Sequence, residues 1–325
     1  MVTIKDVALK SGVSICTVSR VLSNKGYIKD STRQKVMDAV HELGYVQNST
    51  AAELKTGISS TIAIILPDIE NMFYSKLATS IESYAYSKGY LLFICNTSYD
   101  KEKEDFFLRG MSARNIRGLI GVPVTSDISS YKKYLGNIPY VIFNRNLADD
   151  SIACYKIDNF RVGYEVTTHL IENGSKKIVG AFRNFSNGIY LDRFNGMKQA
   201  LQDHGLVYDE SNVIFNIDEE SIHERIAKIF GQKERPDAVF ASNDMLAFEV
   251  YKELQKIGLV IPDDVMIASI DDTSMATKIY PPLTSYRIPV EDFTKVVIDS
   301  FIESNFAGGT KILEGELIVR KSTTR

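Results

Sequence analysis

Residues 3–48 read TIKDVALKSGVSICTVSRVLSNKGYIKDSTRQKVMDAVHELGYVQN, and how this stretch folds decides the reading of the whole chain. Thr3-Ile-Lys-Asp6 has the form of a capping box, a hydroxyl on an N-terminal amide with an acid three residues later. Val7 and Ala8 then face inward, and Gly12 can take the left-handed conformation that a tight interhelical turn needs. Ser14 is a good N-cap for a second helix, in which Val18, Val21 and Leu22 recur at helical spacing. Ser31-Thr-Arg-Gln34 repeats the capping form and opens a third helix, with Val36, Val40 and Leu43 on one face and Gly44 at its end. Two helices joined by a glycine turn, the second opened by serine, make a helix-turn-helix pattern. On residue pattern alone, a small helical bundle with a partly apolar exposed turn fits equally well.

In a helix-turn-helix the first turn of the second helix enters the major groove. Ile15, Cys16 and Thr17 occupy that turn. Arg20 lies one turn on and is long enough to meet guanine O6 and N7, while Ile15 and Cys16 suit thymine methyls. Thr3, Ser14, Ser19, Lys25 and Tyr45 are candidates for phosphate contacts, which fix register rather than read bases.

Beyond residue 48 the pattern changes. A short segment, 48–55, leads into Thr56-Gly57-Ile58-Ser59-Ser60, whose Gly/Ser content reads as a linker. From residue 61, strand-length apolar runs at 61–66, 90–95, 118–122, 140–143, 154–158, 177–182, 237–241 and 265–270 alternate with amphipathic stretches. Those stretches lie near 74–88, 102–115, 160–173, 191–204, 219–230, 243–257 and 290–304. Strands buried on both faces and alternating with helices imply parallel, doubly wound sheets. Some 260 residues is large for one such sheet, so two α/β lobes are expected. Ligands in these sheets bind beyond the carboxyl ends of the strands, which directs attention to residues that follow strands.

The bulk properties exclude several classes. The three cysteines, Cys16, Cys95 and Cys154, are too few and too scattered for a disulfide framework or a CxxC metal site. Lys5, Asp6 and Lys10 interrupt the N-terminus, so it does not read as a signal peptide, and no apolar run approaches the roughly twenty residues of a membrane span. A cytoplasmic setting is expected. The net charge of −3 divides unevenly: residues 1–57 hold eight bases and five acids, a basic head on an acidic remainder. The four histidines, His41, His169, His204 and His223, fall in helical stretches without ligand or triad spacing and read as solvated. No HExxH, GxSxG or phosphate-cradling loop is present, so neither an enzyme nor a cofactor is expected.

The N-terminal stretch closely resembles the DNA-binding domain of the LacI/GalR family of bacterial repressors, through TIKDVA, GVS..TVSRVL, S..TR.KV..A...LGY and the N..A..L.. tail. The resemblance extends over essentially the whole chain with weaker motifs. It implies an all-α headpiece at 1–47, a hinge helix and linker at 48–60, and a two-lobed, periplasmic-binding-protein-like core at 61–325. The first lobe would take about 61–158 plus 289–316, the second about 159–288 plus 317–325. In the family the hinge becomes helical on specific DNA, and its leucine wedges into a minor-groove step. The matching residues are Asn48, Ala51, Ala52, Leu54 and Lys55. As a plain linker residue, Leu54 would instead pack on the body. Gln47 stands where the family usually has proline, which leaves the hinge start less stiff.

Five segments of the body are similar to family effector-site motifs. Pro67-Asp68-Ile-Glu-Asn71-Met-Phe73-Tyr74 resembles the NPFF segment, so Phe73 and Tyr74 are placed at the cleft mouth, or in the core or a dimer interface. Asp158-Asn159 resembles VD(N/D); Asp158 either accepts ligand hydroxyls or caps the next helix. Asp192-Arg193-Phe194-Asn195-Gly196 resembles the segment whose arginine holds the effector. Phe240-Ala-Ser-Asn243-Asp244 resembles F..ND, with Asn243 able to donate and accept and Asp244 a helix cap. Ser269-Ile270-Asp271-Asp272 resembles (G/S)(F/Y)D(D/N), placing Asp271 beyond a strand end. Basic residues around these motifs are few, Arg145, Arg183 and Arg193, which suits an uncharged or weakly charged sugar better than a bisphosphate. The expectation is a homodimeric repressor of a sugar-utilisation operon that binds operator DNA under a sugar-like effector. A solute-binding protein and a regulator driven by a protein co-repressor are the alternatives.

Overall fold

The computed structural model describes residues 2–22, 26–45, 59–183, 188–214 and 219–324. The chain divides into two compact units, 1–59 and 60–325.

The first unit contains helices α1 (Ile4–Ser11), α2 (Ile15–Leu22) and α3 (Asp30–Leu43). The capping box at Thr3 and Asp6 is present, with the Thr3 N–H and hydroxyl both donating to Asp6 Oδ2 at 2.7 Å. Gly12 and Gly44 take φ of 68° and 59°, the left-handed region that ends each helix. Ser14 caps α2 by accepting the Thr17 N–H at 3.2 Å. The expected box at Ser31 and Gln34 does not form. Ile28 packs on the headpiece core, α3 begins one residue before Ser31, and Gln34 Nε2 donates to Asp38 at 2.8 Å instead. Val7, Ala8, Val18, Val21, Val36 and Ala39 make the small core.

The second unit is two six-stranded sheets. The first holds β1 (Thr61–Leu66), β2 (Leu91–Asn96), β3 (Gly118–Gly121), β4 (Tyr140–Phe143), β5 (Ala153–Lys156) and β11 (Gly309–Ile312), in the order β11-β5-β4-β3-β1-β2. The second holds β6 (Ile178–Ala181), β7 (Val213–Ile214), β8 (Ala238–Ala241), β9 (Met266–Asp271), β10 (Thr284–Arg287) and β12 (Glu316–Ile318), in the order β12-β10-β9-β8-β6-β7. The strand pairs are parallel except β10 with β12. The chain therefore passes between sheets after β5, after β10 and after β11. Ion pairs flank these passages: Arg161 with Glu314 at 3.0 Å and Arg287 with Glu316 at 3.0 Å.

Helices α4 (Met72–Ser87), α5 (Lys101–Ser112), α6 (Ser129–Leu135) and α11 (Val290–Glu303) accompany the first sheet; α7 (Asn159–Glu172), α8 (Ile189–Asp203), α9 (Glu219–Phe230) and α10 (Asp244–Lys256) accompany the second. Phe293 of α11 packs on Phe143 with ring centroids 4.5 Å apart. Burying such a ring contributes roughly 1.5–3 kcal/mol.

Strands β7, β10, β11 and β12 and helix α6 are not expected from the sequence. β11 (GTKI) is short and mostly exposed and β12 (ELI) is three residues long and half-buried, so neither carries a continuous apolar run of strand length. β10 (TSYR) is polar yet buried. The Thr284 N–H donates to Ser322 Oγ at 2.8 Å, and Ser285 Oγ donates to Asp244 at 2.6 Å, which makes that burial tolerable.

Candidate functional site: a reading helix and a closed interlobe cleft

In the headpiece, α2 turns Val18 and Val21 inward and leaves Ser14, Ile15, Cys16, Ser19 and Arg20 exposed; Thr17 is half-buried. Ile15 is 45% exposed, an uncommon place for a β-branched apolar side chain in an isolated domain. Thr17 Oγ1 is bonded to Ser14 Oγ at 2.9 Å, so its hydroxyl serves the cap. Thr3 is exposed and Tyr45 packs on the headpiece core. Lys25, Asn48, Ala51, Leu54 and Lys55 lie outside the described residues.

In the body, the carboxyl ends of β1, β4, β8 and β9 and the first turn of α8 converge on one small cavity lined by Asn71, Phe73, Tyr74, Asn144, Ile189, Tyr190, Arg193, Asn243 and Asp271. Its volume is about 20 Å³, room for one water, where small-molecule pockets measure roughly 300–1,000 Å³. The lobes are thus closed on each other. Asn146 of the first lobe donates to Asp192 of α8 at 2.7 Å, and Lys76 of α4 reaches the Asp272 carbonyl at 3.3 Å.

Arg193 is only 3% exposed. Its Nε donates to Asn159 Oδ1 at 2.9 Å, its Nη1 to the Ser242 carbonyl, and its guanidinium lies 5.5 Å from the Tyr190 ring centroid. Two glycines seat it. A Cβ on Gly163 of α7 would stand 2.0 Å from the Arg193 carbonyl oxygen, and one on Gly196 of α8 would stand 2.0 Å from the Phe160 carbonyl. Only bare backbone lets the two helices approach so closely.

Asp271 and Asn144 hold φ of 120° and 50°. Non-glycine residues persist there only where surrounding contacts impose it, commonly at binding sites. Burial pushes the Asp271 carboxyl well above the usual carboxylate range. The Arg193 guanidinium opposes that shift, the Asp244 carboxylate adds to it, and the Lys76 ammonium and an Asp244 N–H bond also oppose it. Burial likewise raises the Tyr74 phenol to about 12, against the pull of the Arg145 guanidinium beside it.

The raised Asp271 value has a thermodynamic consequence. The folded state holds this proton to higher pH than the unfolded chain, so stability is lost as pH rises from the ordinary carboxylate pKa of about 3.9 through the raised one. Asp271→Asn is therefore expected to raise Tm at neutral pH by about 2 °C or more, and the gain should shrink as pH falls toward 4. Thermal unfolding from pH 4 to 8 measures this; a gain independent of pH would contradict the assignment.

Several expected residues sit elsewhere. Asp158 is exposed and caps α7 through the Arg161 N–H at 3.0 Å; its neighbour Asn159 is the one buried against Arg193. Phe240 is wholly buried in β8, edge-on to Phe182 at 5.5 Å, because a strand's central residue points into the core rather than past its end. Phe73 is buried and stacked on Phe143, 6.1 Å between centroids, with its edge on the cavity. Asp244 is not the cap of α10. Asn243 is, accepting the Leu246 N–H at 2.9 Å. Asp244 instead accepts Ser269 Oγ, Ser285 Oγ, and Thr273 N and Oγ1, tying β9, β10 and α10 together. Among the histidines, His169 is half-buried with Nε2 2.8 Å from Thr323 Oγ1, and His223 pairs with Glu253, so neither is simply solvated. Asn144, Ile189 and Tyr190 are unmarked by the sequence motifs, and Asn71 falls in the NPFF-like segment without being singled out there. Asn144 was findable as the residue directly after an apolar strand.

A helix-turn-helix headpiece together with a pair of α/β lobes around a polar cleft is the make-up of a DNA-binding transcriptional regulator with an effector-binding body. Residues 3–48 match the bacterial regulatory proteins of the lacI family, and residues 167–323 the periplasmic binding protein-like domain. The HTH-type transcriptional regulator DegA of Bacillus subtilis (strain 168) is 34% identical over 334 residues, 99% of this chain and 98% of DegA. The lac repressor dimer bound to operator and the anti-inducer ONPF shares the fold with a TM-score of 0.84 at 22% identity, covering 100% of this chain and 99% of that one. A periplasmic binding protein/LacI transcriptional regulator from Alkaliphilus metalliredigens QYMF, complexed with D-xylulofuranose, is 28% identical with a TM-score of 0.71, over 82% of this chain and 100% of its own. The chain belongs to the LacI family: it is a DNA-binding transcriptional regulator with an effector-binding body. No described helix is long and apolar enough to cross a membrane.

Proposed function

We propose that this protein is a cytoplasmic repressor of a sugar-utilisation operon, acting as a homodimer on a roughly palindromic operator. One headpiece per half-site follows from matching a twofold dimer to twofold DNA. In this reading Arg20 contacts guanine and Ile15 and Cys16 meet thymine methyls, with Thr17 beside them in the same turn. Thr3, Ser14, Ser19, Lys25 and Tyr45 hold phosphates. The hinge, 48–60, places Asn48, Ala51, Leu54 and Lys55 at the operator centre, where Leu54 wedges a base step. A short, partly apolar reading turn leaves much of the discrimination to the deformability of that step.

A sugar-like effector enters the cleft at Tyr74, Tyr190, Arg193, Asn243 and Asp271. The single observation that carries this reading is the convergence of these side chains from both lobes on one closed cavity. The sugar held by the relative from Alkaliphilus supports the ligand class. The lobes must part to admit a ligand and close again on it. Differential affinity for the closed state then biases the hinge, a population shift.

The test is operator affinity by fluorescence anisotropy with and without sugars. An effector at 100 times its dissociation constant also stabilises the protein by about 2.7 kcal/mol. Arg193→Gln is expected to abolish that thermal shift while operator binding without effector persists. Protein that binds no palindromic operator specifically, or whose affinity no small molecule alters, would sink the proposal.

A further inference from the structure

The turn that follows β4 meets the second lobe twice, and the two contacts flank Arg193. Asn144 Oδ1 accepts from Asn159 Nδ2 at 3.1 Å, and Asn159 Oδ1 accepts from Arg193 Nε at 2.9 Å. Two residues on, Asn146 Nδ2 donates at 2.7 Å to Oδ2 of Asp192, the residue before Arg193. Between them, buried Arg145 fastens the turn to its own lobe. Its Nε donates to the Pro123 carbonyl at 2.8 Å and its Nη1 to the Asn144 carbonyl at 2.8 Å, while its own carbonyl accepts from Cys154 Sγ at 3.3 Å. A turn held this way presents Asn146 to the second lobe in a fixed position.

The Asn146 amide has one orientation open to it. Lys156 Nζ, at the end of β5, donates to Asn146 Oδ1 at 2.7 Å. An ammonium only donates and a carboxylate only accepts, so the amide oxygen faces Lys156 and the nitrogen faces Asp192. The three side chains form one row: a cation of the first lobe, an amide, and an anion of the second lobe. Each bond in the row has a charged member, which makes it stronger than a neutral pair. Gly188, which precedes α8 at φ of 77°, leaves room for the contact, since a Cβ there would stand 3.3 Å from Asn146 Nδ2. Lys76 also crosses between the lobes, but only to a carbonyl and at 3.3 Å.

We infer that Lys156, Asn146 and Asp192 are the closure latch of the body. The row exists with the lobes together and breaks when they part, so its strength enters the balance between open and closed states directly. None of the three is among the residues that line the cavity. They act as positioning residues, bringing the first turn of α8, and with it Arg193, against the first lobe. The apparent affinity of any effector scales with the fraction of protein already competent to hold it. The latch therefore sets the effector concentration at which the regulator responds. This inference rests on the reading of lobes that part and close on a ligand, and specifies the contact that governs their balance.

Pulsed dipolar EPR on the full chain tests this by measuring the distance between the lobes. Spin labels go on Glu102→Cys of α5 and Lys252→Cys of α10, both exposed, with Cys16→Ser removing the exposed native thiol. Asn146→Asp sets a carboxylate against Asp192 while still giving Lys156 a partner. It is expected to raise the open population at least about fivefold. Combining Asn146→Asp with Asp192→Asn exchanges amide and carboxylate across the cleft and rebuilds the row, so the closed distance should return. A residue needed only for folding would not be rescued by that exchange. Wild-type distances in Asn146→Asp overturn the inference, and so does an exchanged protein as open as the single variant. Operator anisotropy of the unlabelled proteins, with Cys16 in place and no effector added, forms the second arm. Affinity that shifts in Asn146→Asp and returns in the exchanged protein supports the latch and its link to DNA. Distances that shift while operator affinity stays constant uphold the latch and count against the coupling of closure to the hinge.

Discussion

Gly196→Ala is expected to lower the melting temperature of the body by roughly 5–10 °C and to blunt its effector response at the same time. The added Cβ would stand 2.0 Å from the Phe160 carbonyl oxygen, 2.8 Å from the Tyr164 nitrogen and 3.0 Å from the Phe160 carbonyl carbon. All three are backbone atoms of α7 and cannot swing aside as a side chain would. The helices must separate, and overpacking that moves backbone costs about 1–3 kcal/mol, occasionally more; here the upper end applies. Gly163 meets the Arg193 backbone reciprocally, so the separation carries Arg193 away from Asn159, which sits on α7. Gly205→Ala is the useful contrast. Gly205 has open space around it, so its cost comes from φ of 69° alone and leaves Arg193 in place. Calorimetry with an effector titration separates the two effects. A Gly196→Ala protein that melts with the wild type and responds normally would show that the helix contact is not what seats Arg193.

The second large effect is expected at Asp244. Its two oxygens accept four donors, Ser269 Oγ and Ser285 Oγ on one, Thr273 N and Oγ1 on the other. Asp244→Ala strands all four in a site with no exposure, and a loss of about 3–5 kcal/mol is expected. Asp244→Asn should be far milder. Its oxygen can take the Thr273 N–H, which can only donate, while its NH2 meets the two serine hydroxyls, which can rotate to accept. Burial raises the Asp244 carboxyl, so its ionised form costs folding stability above the ordinary carboxylate range, and the neutral amide removes that cost. Urea unfolding at pH 7 ranks the three proteins. Asparagine as damaging as alanine would mean that the charge, not the hydrogen-bond geometry, holds β9, β10 and α10 together.

Much of the fold was legible in the order of the residues. The headpiece follows from local chemistry: a capping box at Thr3, a serine cap at Ser14, and glycines where the chain must take positive φ. Each of these is satisfied within a turn or two, so sequence order suffices. The parallel sheets announced themselves because strands buried on both faces are apolar throughout. β10 did not, since its buried Thr284 and Ser285 are made acceptable by Ser322 and Asp244, far away in the chain.

The cleft divides along the same line. Arg193, Asn243, Asp271 and Tyr74 were found through local motifs and do line the cavity. The sequence by itself determined which segments end beyond strands and which carry the family's signatures. Only the tertiary structure decided that Asp158 caps α7 while Asn159 meets Arg193, withdrew Phe240 to the core, and gave Gly163 and Gly196 their purpose. It also fixed which way each amide points, because that depends on an N–H donor or an arginine brought into place by folding. Capping and alternation are rules of near neighbours along the chain. The chemistry of the cleft is a rule of neighbours in space, and sequence order does not contain it.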